Sequence, residues 1–211
     1  MFRHLFLFYS LVALLGNLCL GQVLQFGTCT DVEPMKYFQV EKFTGQWYVI
    51  ERFPNWYEKY GDCAFQRIQY CGRRVEIDHV YVKDSIQYVL KINSTYVPGA
   101  EAVFVIQENN IDPVGIPMAV ITTDYTNYAV VHGCKYNAKL GLRYISAWII
   151  SREKTLPEDL LMQARLQLNA IPYANVAYLR RVDQSEDKCK AYWTAHVKAV
   201  NINEEDCTNE Y

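Results

Sequence analysis

The sequence predicts an all-β fold: an eight-stranded antiparallel up-and-down barrel with one C-terminal flanking α-helix and a short ninth strand. Between residues 45 and 152, short β-rich runs alternate with turn residues at intervals of about ten residues, a spacing typical of sandwiches and barrels. One amphipathic helical stretch follows the last run. A Gly-x-Trp stands at the head of the first run, where Trp47 can fill one end of a small barrel and leave the other end open as a cup.

Eight runs are predicted as strands because they are rich in β-branched and aromatic residues. They span residues 45–53, 63–71, 74–82, 86–97, 102–108, 117–123, 127–134 and 143–152. Closing such strands into a barrel removes exposed strand edges, and eight strands leave room for one small ligand inside.

Alternation along the third and fourth runs assigns their two faces. Asn93 begins an Asn-Ser-Thr sequon, a glycosylation acceptor whose side chain is expected to face outward. The residues then predicted to face inward are Val75, Ile77, His79, Tyr81, Ile86, Tyr88, Leu90 and Ile92.

The run 143–152 is apolar on both faces, so a second element has to cover its outer face. That element is a helix that begins at Pro157, with Glu158 and Asp159 at the positive end of its dipole. Its apolar stripe consists of Leu160, Leu161, Ala164 and Leu168. The ninth strand is predicted over 176–182.

Three parts are expected along the chain. Residues 1–21 read as a secretory signal peptide, because a short basic start precedes an apolar run that is short for a membrane span and then small residues. Residues 22–190 form the barrel domain, and residues 191–211 form an acidic tail that is loosely held except through its cysteines. The net charge is −2, which argues against nucleic-acid partners. A secreted, extracellular protein is expected.

The cysteines predict disulfides. Of the seven in the sequence, Cys19 falls in the signal peptide, and an even number in a secreted chain indicates three bridges with 15 connectivities open. The spacing lacks the Cys-x-x-Cys or Cys/His clusters of zinc sites, and no metal is expected.

Three motifs carry a family resemblance. Gly45-Gln46-Trp47, Thr123-Asp124-Tyr125 and the run from Trp148 to Arg152 occur in this order, and a helix follows them. In these features the chain resembles the lipocalins. Within that family it is similar to the group that contains apolipoprotein D, the Lazarillo-type lipocalins and the bilin-binding lipocalins. The resemblance covers roughly residues 26–190 and implies structural roles for Gly45, Trp47, Thr123, Asp124, Tyr125 and Arg152, with Arg152 across the Trp47 ring.

The resemblance also implies two bridges, Cys29–Cys134 and Cys63–Cys189. Cys71 and Cys207 depart from the family pattern. They are expected to form a third bridge, and the alternative is a free thiol at Cys71.

The function expected from the resemblance is that of a secreted carrier for a fatty acid, steroid, retinoid or similar lipid, held in the barrel. The candidate ligand-contacting residues, several of which could equally be plain core, are Tyr57, Phe65, Arg67, Tyr88, Leu90, Phe104, Ala119, Tyr128, Val130, Tyr144 and Trp148. Ala119 replaces a large aromatic of the apolipoprotein D pattern, which would widen the pocket. Arg67 either pairs with a ligand carboxylate or lies exposed on the outer face.

Three alternatives stay open. The first is a bilin carrier, in which the pigment is bound non-covalently and is the one cofactor to consider. The second is an interaction protein with a cell-surface receptor; the polar C-terminal residues argue against a lipid anchor. The third is an isomerase with Cys71 as the nucleophile. No catalytic residues are otherwise expected, since His79, His132 and His196 are scattered.

Overall fold

The structure is a computed structural model that describes residues 21–58, 61–96 and 102–199. Eight strands form the barrel: β2 (Gly45–Arg52), β3 (Asp62–Cys71), β4 (Arg74–Lys83), β5 (Ile86–Thr95), β6 (Val103–Ile106), β7 (Met118–Thr123), β8 (Tyr128–Asn137) and β9 (Leu142–Ser151). Three further strands lie against it: β1 (Val23–Phe26), β10 (Arg180–Arg181) and β11 (Trp193–Lys198). The helices are α1 (Val40–Phe43) and α2 (Glu158–Asn169).

The barrel strands pair antiparallel in chain order, and β9 returns to pair with β2. This closure confirms the predicted eight-stranded up-and-down barrel. β1 pairs with residues 142–145 of β9, whereas β2 pairs with residues 148–151 of the same strand. β10 pairs with β2. β11 runs parallel to β5.

The C-terminal third differs from the sequence-based prediction in two places. The short ninth strand is present but is reduced to Arg180–Arg181, because a 3₁₀ helix, Val176–Tyr178, occupies the first three of the seven residues predicted for it. The segment expected to be loosely held contains β11, which lies on the barrel sheet.

Helix α2 covers the outer face of β8 and β9, as the apolar outer face of 143–152 predicts. Pro157 is its N-cap residue, and Leu161, Ala164 and Leu168 are its buried residues. They pack in an outer core that also contains Val130 and Ile149. The molecule therefore has two apolar cores, one inside the barrel and one between barrel and helix.

The first and third motifs meet at the closed end of the barrel. The Arg152 guanidinium carbon lies 3.7 Å from the centroid of the Trp47 ring, and its nitrogens donate to the carbonyls of Lys42, Gln46 and Tyr125 at 2.9–3.1 Å. Trp47 is fully buried and donates to the Phe43 carbonyl at 2.8 Å. Gly45 has φ +96°, and a Cβ there would lie 3.3 Å from Arg152 Nη1. Both facts explain the glycine of the motif.

The second motif is the turn between β7 and β8. Asp124 Oδ1 accepts from the backbone N–H groups of Thr126, Asn127 and Tyr128 at 2.7–3.1 Å. Partial burial opposes the charge on Asp124, but these donors and the Asn127 side chain lower its pKa. The turn places the Tyr125 carbonyl where Arg152 binds it.

Disulfides attach both terminal segments to the barrel. Cys29–Cys134 and Cys63–Cys189 are present with Cα–Cα distances of 5.9 and 5.1 Å, the pairs that the resemblance implies. Cys71 is disulfide-bonded as well. Its predicted partner Cys207 and the predicted signal peptide, apart from Gly21, lie outside the described residues.

Candidate ligand-binding site

The interior of the barrel is filled from its closed end by aromatic side chains. Phe43 packs on Trp47 and on Phe104 with ring centroids 5.1 and 6.1 Å apart, and Tyr96 lies 5.8 Å from Phe104. These rings are almost fully buried. These rings form the base of the cup. Phe104 therefore lies at the closed end of the barrel and not near its open end.

A β-bulge in β2 brings a charged side chain into the barrel. The pairing of β2 with β9 shifts register between Val49 and Glu51. Val49 packs inside, whereas Ile50 and Glu51 both face outward, toward the second core and Arg165 of α2. Arg52 therefore returns to the inner face, where it is 4% exposed.

Arg52 forms a buried ion pair with Glu58, which follows β2 in the loop to β3. Arg52 Nε lies 2.6 Å from Glu58 Oε2, and Arg52 Nη2 donates to the Gly61 carbonyl at 2.6 Å. Glu58 is 2% exposed. A Cβ on Gly61 would lie 2.1 Å from the Tyr81 ring, so only glycine lets the loop come this close to β4.

Two further groups bind the same carboxylate. Trp148 Nε1 donates to Glu58 Oε1 at 3.1 Å, and His79 Nδ1 lies 3.4 Å from that oxygen. Burial opposes ionisation of Glu58, but Arg52, His79 and Trp148 outweigh it and lower the pKa of Glu58 to about 2. The carboxylate is ionised inside the barrel at neutral pH. Trp148, the leading sequence-based candidate, faces this charge.

Tyrosines line the wall beside this ion pair. The Tyr81 and Tyr88 rings stack at 5.1 Å, and the Tyr81 hydroxyl donates to the Tyr57 carbonyl at 2.8 Å. The ring of Tyr57 lies 5.4 Å from His79. Burial raises the pKa of Tyr81 to about 12 and raises the pKa of Tyr57 well above its usual value, so both phenols remain neutral hydrogen-bonding groups.

Six of the eleven candidate residues lie on the interior side. Leu90, Phe104 and Trp148 are buried members of the inner core, and Tyr57 and Tyr88 pack against it. Tyr144 lies on the same face of β9 as Trp148, and its ring centroid is 5.8 Å from that of Trp56 in the β2–β3 loop. The inward faces predicted for β4 and β5 agree with this structure.

The other five predictions are wrong, because these side chains lie on the outer face. Phe65 packs on Tyr48 outside the barrel, and Arg67 is exposed with its guanidinium 5.1 Å from the Phe65 ring. The pairing of β3 with β4 shifts register between Asp62 and Phe65. The β3 side chains that enter the barrel include Ala64 and Ile68. The exposed alternative for Arg67 is therefore the one that the structure supports.

On β7 and β8 the two faces are hard to distinguish in sequence. Ala119 pairs with His132 and lines an outer pocket beside Cys29–Cys134, so it does not widen the cup. Tyr128 and Val130 pack in the core under α2. The residues on the opposite face of these strands, which enter the barrel, are Met118, Val120, Ala129 and Val131.

Sequence reasoning missed Arg52 and Glu58. A buried pair of opposite charges leaves no periodic signal, and the bulge that turns Arg52 inward has no Gly marker. His79 was predicted to face inward, but its place beside Glu58 depends on a loop whose path sequence does not specify.

Other predicted features have mixed outcomes. Asn93 is on the outer face but only 7% exposed, so its glycosylation stays a prediction. Within the described ranges there is no cluster of three or more His, Cys, Asp or Glu suited to a metal ion. No helix in the same part of the chain is long and apolar enough to cross a membrane.

A closed barrel with the Arg152–Trp47 clamp at one end and a buried ion pair inside is typical of small-ligand binding proteins. The model of the lipocalin and cytosolic fatty-acid binding protein family matches residues 44–183. The chain therefore belongs to this family, as its three motifs indicate.

Curated relatives and solved structures agree. The chain is 25% identical over 186 residues to the bilin-binding protein of Pieris brassicae, covering 86% of this chain and 97% of that one. It is 27% identical over 158 residues to insecticyanin-B of Manduca sexta (72% and 75%) and 29% identical over 157 residues to apolipoprotein D of Macaca fascicularis (74% and 82%). The insecticyanin structure from Manduca sexta has the same fold, with a TM-score of 0.73 at 24% identity over 84% of this chain and 97% of that chain.

Proposed function

We propose that the protein is a secreted carrier that binds one small hydrophobic molecule inside the barrel, in the manner of apolipoprotein D. The ligand classes that fit are a fatty acid, a steroid, a retinoid or a similar lipid. The observation that carries the proposal is an aromatic interior that ends at a buried, ionised Arg52–Glu58 pair.

The two parts of this interior have different roles in binding. Aromatic and aliphatic walls remove apolar ligand surface from water, which is worth roughly 25 cal/mol per Å². A few polar groups fix the orientation. Arg52 Nη1 is buried and has no hydrogen-bond partner, so a ligand carboxylate or hydroxyl has a donor available beside Glu58.

A ligand group that binds Arg52 Nη1 leaves the Arg52–Glu58 ion pair in place, since that pair uses Nε. The charge on Arg52 therefore stays paired when the ligand binds, which avoids the large cost of an isolated buried charge.

A titration with paired variants tests the carrier function. Delipidated protein is titrated with a fluorescent fatty acid, progesterone and retinol, and an organic extract of the purified protein is analysed by mass spectrometry. Leu90→Trp fills the interior, whereas Val89→Trp adds the same ring to the outer face of the same strand. At least tenfold weaker binding is expected for Leu90→Trp alone. Equal affinities in the two variants would place the ligand elsewhere.

A bilin carrier is the second candidate, favoured by similarity to the bilin-binding protein of Pieris brassicae. The tetrapyrrole would be held without a covalent bond, and its acidic side chains would need cations such as Arg52. Titration of the delipidated protein with biliverdin, followed by visible absorption, distinguishes this candidate. A shifted band that saturates at one equivalent supports it, and an unchanged spectrum removes it.

Secretion belongs to the same proposal. Disulfides persist in oxidising compartments, and the two bridges described above fit such an environment. Since Cys71 is disulfide-bonded, the isomerase alternative lacks its thiol nucleophile. A cell-surface receptor remains an expectation from the resemblance.

A further inference from the structure

The barrel wall has a gap next to β5 that only the C-terminal segment fills. Within the described residues, β6 pairs with β5 only at Ser94 and Thr95. The part of β5 from Ile86 to Lys91 therefore lacks β6 as a neighbour. β11 pairs along this stretch in parallel, from Trp193 opposite Ile86 to Lys198 opposite Lys91.

The alternation of β11 places small apolar side chains toward the interior. Ala195 is paired with Tyr88 and Val197 with Leu90, two residues of the inner wall. Val197 packs against the inner core, and Ala199 is a member of it. The intervening Thr194, His196 and Lys198 are exposed. β11 is thus amphipathic, with its apolar side toward the cup.

Contacts at both ends hold this strand on the barrel. The Cys63–Cys189 bridge lies just before it, and the Tyr192 backbone N–H donates to the Ser85 carbonyl at 2.9 Å. At the other end the Ala199 N–H donates to the Lys91 carbonyl at 2.8 Å, and the Asn110 side chain donates to the Lys198 carbonyl at 3.3 Å.

We propose that β11 is a ninth wall strand of the ligand cup, and that Ala195 and Val197 contact the ligand and limit its width. This inference rests on the proposed carrier function. Tyr81 and Tyr88 stack on each other beside this wall, and the small side chains of Ala195 and Val197 face the same side of the sheet as Tyr88 and Leu90. Larger residues at 195 or 197 would narrow the interior at this wall.

Thiol labelling tests the position of β11 without any ligand. Val197→Cys and His196→Cys are compared by their rates of alkylation in the folded, non-reduced protein. The inward thiol at 197 is expected to react at least tenfold more slowly than the outward thiol at 196. Equal rates would show that β11 does not form part of the wall in solution.

Ligand binding tests the lining role. Ala195→Phe and Val197→Phe add a ring on the inner side, and Thr194→Phe and His196→Phe are the matched outer controls. With a fluorescent fatty acid and with biliverdin as probes, we expect at least tenfold weaker binding for the inner pair and less than a twofold change for the controls. The milder Val197→Ala, with His196→Ala as its control, replaces any inner variant whose melting shows that it is unfolded; at least a threefold change is expected for Val197→Ala alone.

The outcomes separate the two claims. If the parent protein binds a probe and inner and outer variants bind it equally, the lining role is wrong and the carrier function stands. If the parent binds neither probe, the proposed function and the lining role are both overturned, while the labelling result still decides whether β11 belongs to the wall.

Discussion

At the scale of single residues, one guanidinium organises the closed end. Arg152 lies flat on Trp47 and binds three carbonyls that come from α1, β2 and the β7–β8 turn. Only a planar group with several fixed donors can stack and bind in this way. The same residue limits position 45 to glycine, so the first and third motifs depend on each other.

Replacing Arg152 by Lys is therefore expected to be costly despite the retained charge. The ammonium group keeps at most one of the three hydrogen bonds and loses the stacking, which lowers the free energy of unfolding by about 2 kcal/mol. Urea denaturation measures it. Arg181→Lys on the exposed strand β10 is the control, with a change under about 0.5 kcal/mol; a similar loss in both variants would contradict the role of the clamp.

His132 gives the folded protein a pH dependence. It is 2% exposed, its ring lies 5.6 Å from that of Tyr173, and burial lowers its pKa to about 4 from 6.5. The unfolded chain binds a proton below pH 6.5 and the folded chain does not until about pH 4. The stability from the neutral form is therefore complete above pH 6.5 and is lost as the pH falls toward 4.

From pH 7 to pH 5, His132 should account for a loss of about 2 kcal/mol in unfolding free energy. His132→Gln is expected to remove this part of the pH dependence, measured as urea midpoints at the two pH values. His196→Gln, on the exposed side of β11, should retain the full parental difference. An unchanged pH profile in His132→Gln would refute the assignment.

At the scale of elements, the β2–β3 loop is held inside the barrel by charge. Glu58→Gln leaves Arg52 buried without its counter-ion, which should lower the free energy of unfolding by about 3–5 kcal/mol. In a double-mutant cycle by urea denaturation, the double variant Arg52→Met, Glu58→Met should be less destabilised than the sum of Arg52→Met and Glu58→Met made singly. Additive losses would mean that the two side chains are not coupled.

The pH dependence of this pair provides a second check. The pKa of Glu58 is lowered from 4.5 to about 2, so its contribution is complete above pH 4.5 and is lost as the pH falls toward 2. The double variant should lack that part of the parental acid sensitivity.

Helix α2 stabilises the barrel from outside through a few buried side chains. Leu168 is fully buried and Leu166 is 64% exposed on the same helix. Leu168→Ala should cost about 2–5 kcal/mol because it leaves a cavity against β8 and β9. Leu166→Ala should change stability by less than about 0.5 kcal/mol. Thermal and urea unfolding measure both, and equal effects would show that the helix does not dock through Leu168.

The sequence predicts strand faces only where one side of a strand is polar. On β4 and β5, charged residues alternate with apolar ones, and His79, Tyr88 and Leu90 point where the pattern places them. On β8 the helix makes the outer face apolar too, so Val130 cannot be distinguished from Val131 by polarity. In β2 the bulge at Ile50 interrupts the two-residue alternation of inward and outward side chains. The inward position of Arg52 can therefore not be predicted from that alternation.

At the scale of the whole molecule, disulfides join distant parts of the chain. The bridges close loops with sequence separations of 105 and 126 residues. Replacing either pair by serine should cost about 2–5 kcal/mol of unfolding free energy. Only Cys63→Ser with Cys189→Ser should also speed amide hydrogen exchange in residues 193–198, because that bridge precedes β11. The control is the Cys29→Ser, Cys134→Ser variant. If residues 193–198 exchange equally fast in the control and in the Cys63→Ser, Cys189→Ser variant, β11 is held by other contacts.

The overall topology follows from local signals except at the C-terminus. Eight runs, three motifs and one helix specify the barrel, since consecutive antiparallel strands pair with their neighbours. β11 pairs with a strand roughly a hundred residues earlier, and such a partner is not encoded in local pattern. Its own alternation of Trp193, Ala195 and Val197 with polar residues could have indicated a strand.

The pairing of β11 with β5 also bears on solubility. An unpaired strand edge offers backbone donors and acceptors to any other chain and is a starting point for aggregation. In this protein the stretch from Ile86 to Lys91 would be such an edge, and β11 covers it with outward Thr194, His196 and Lys198. A chain shortened by proteolysis after Cys189 would keep its closed end and helix, yet it would be prone to self-association through β5.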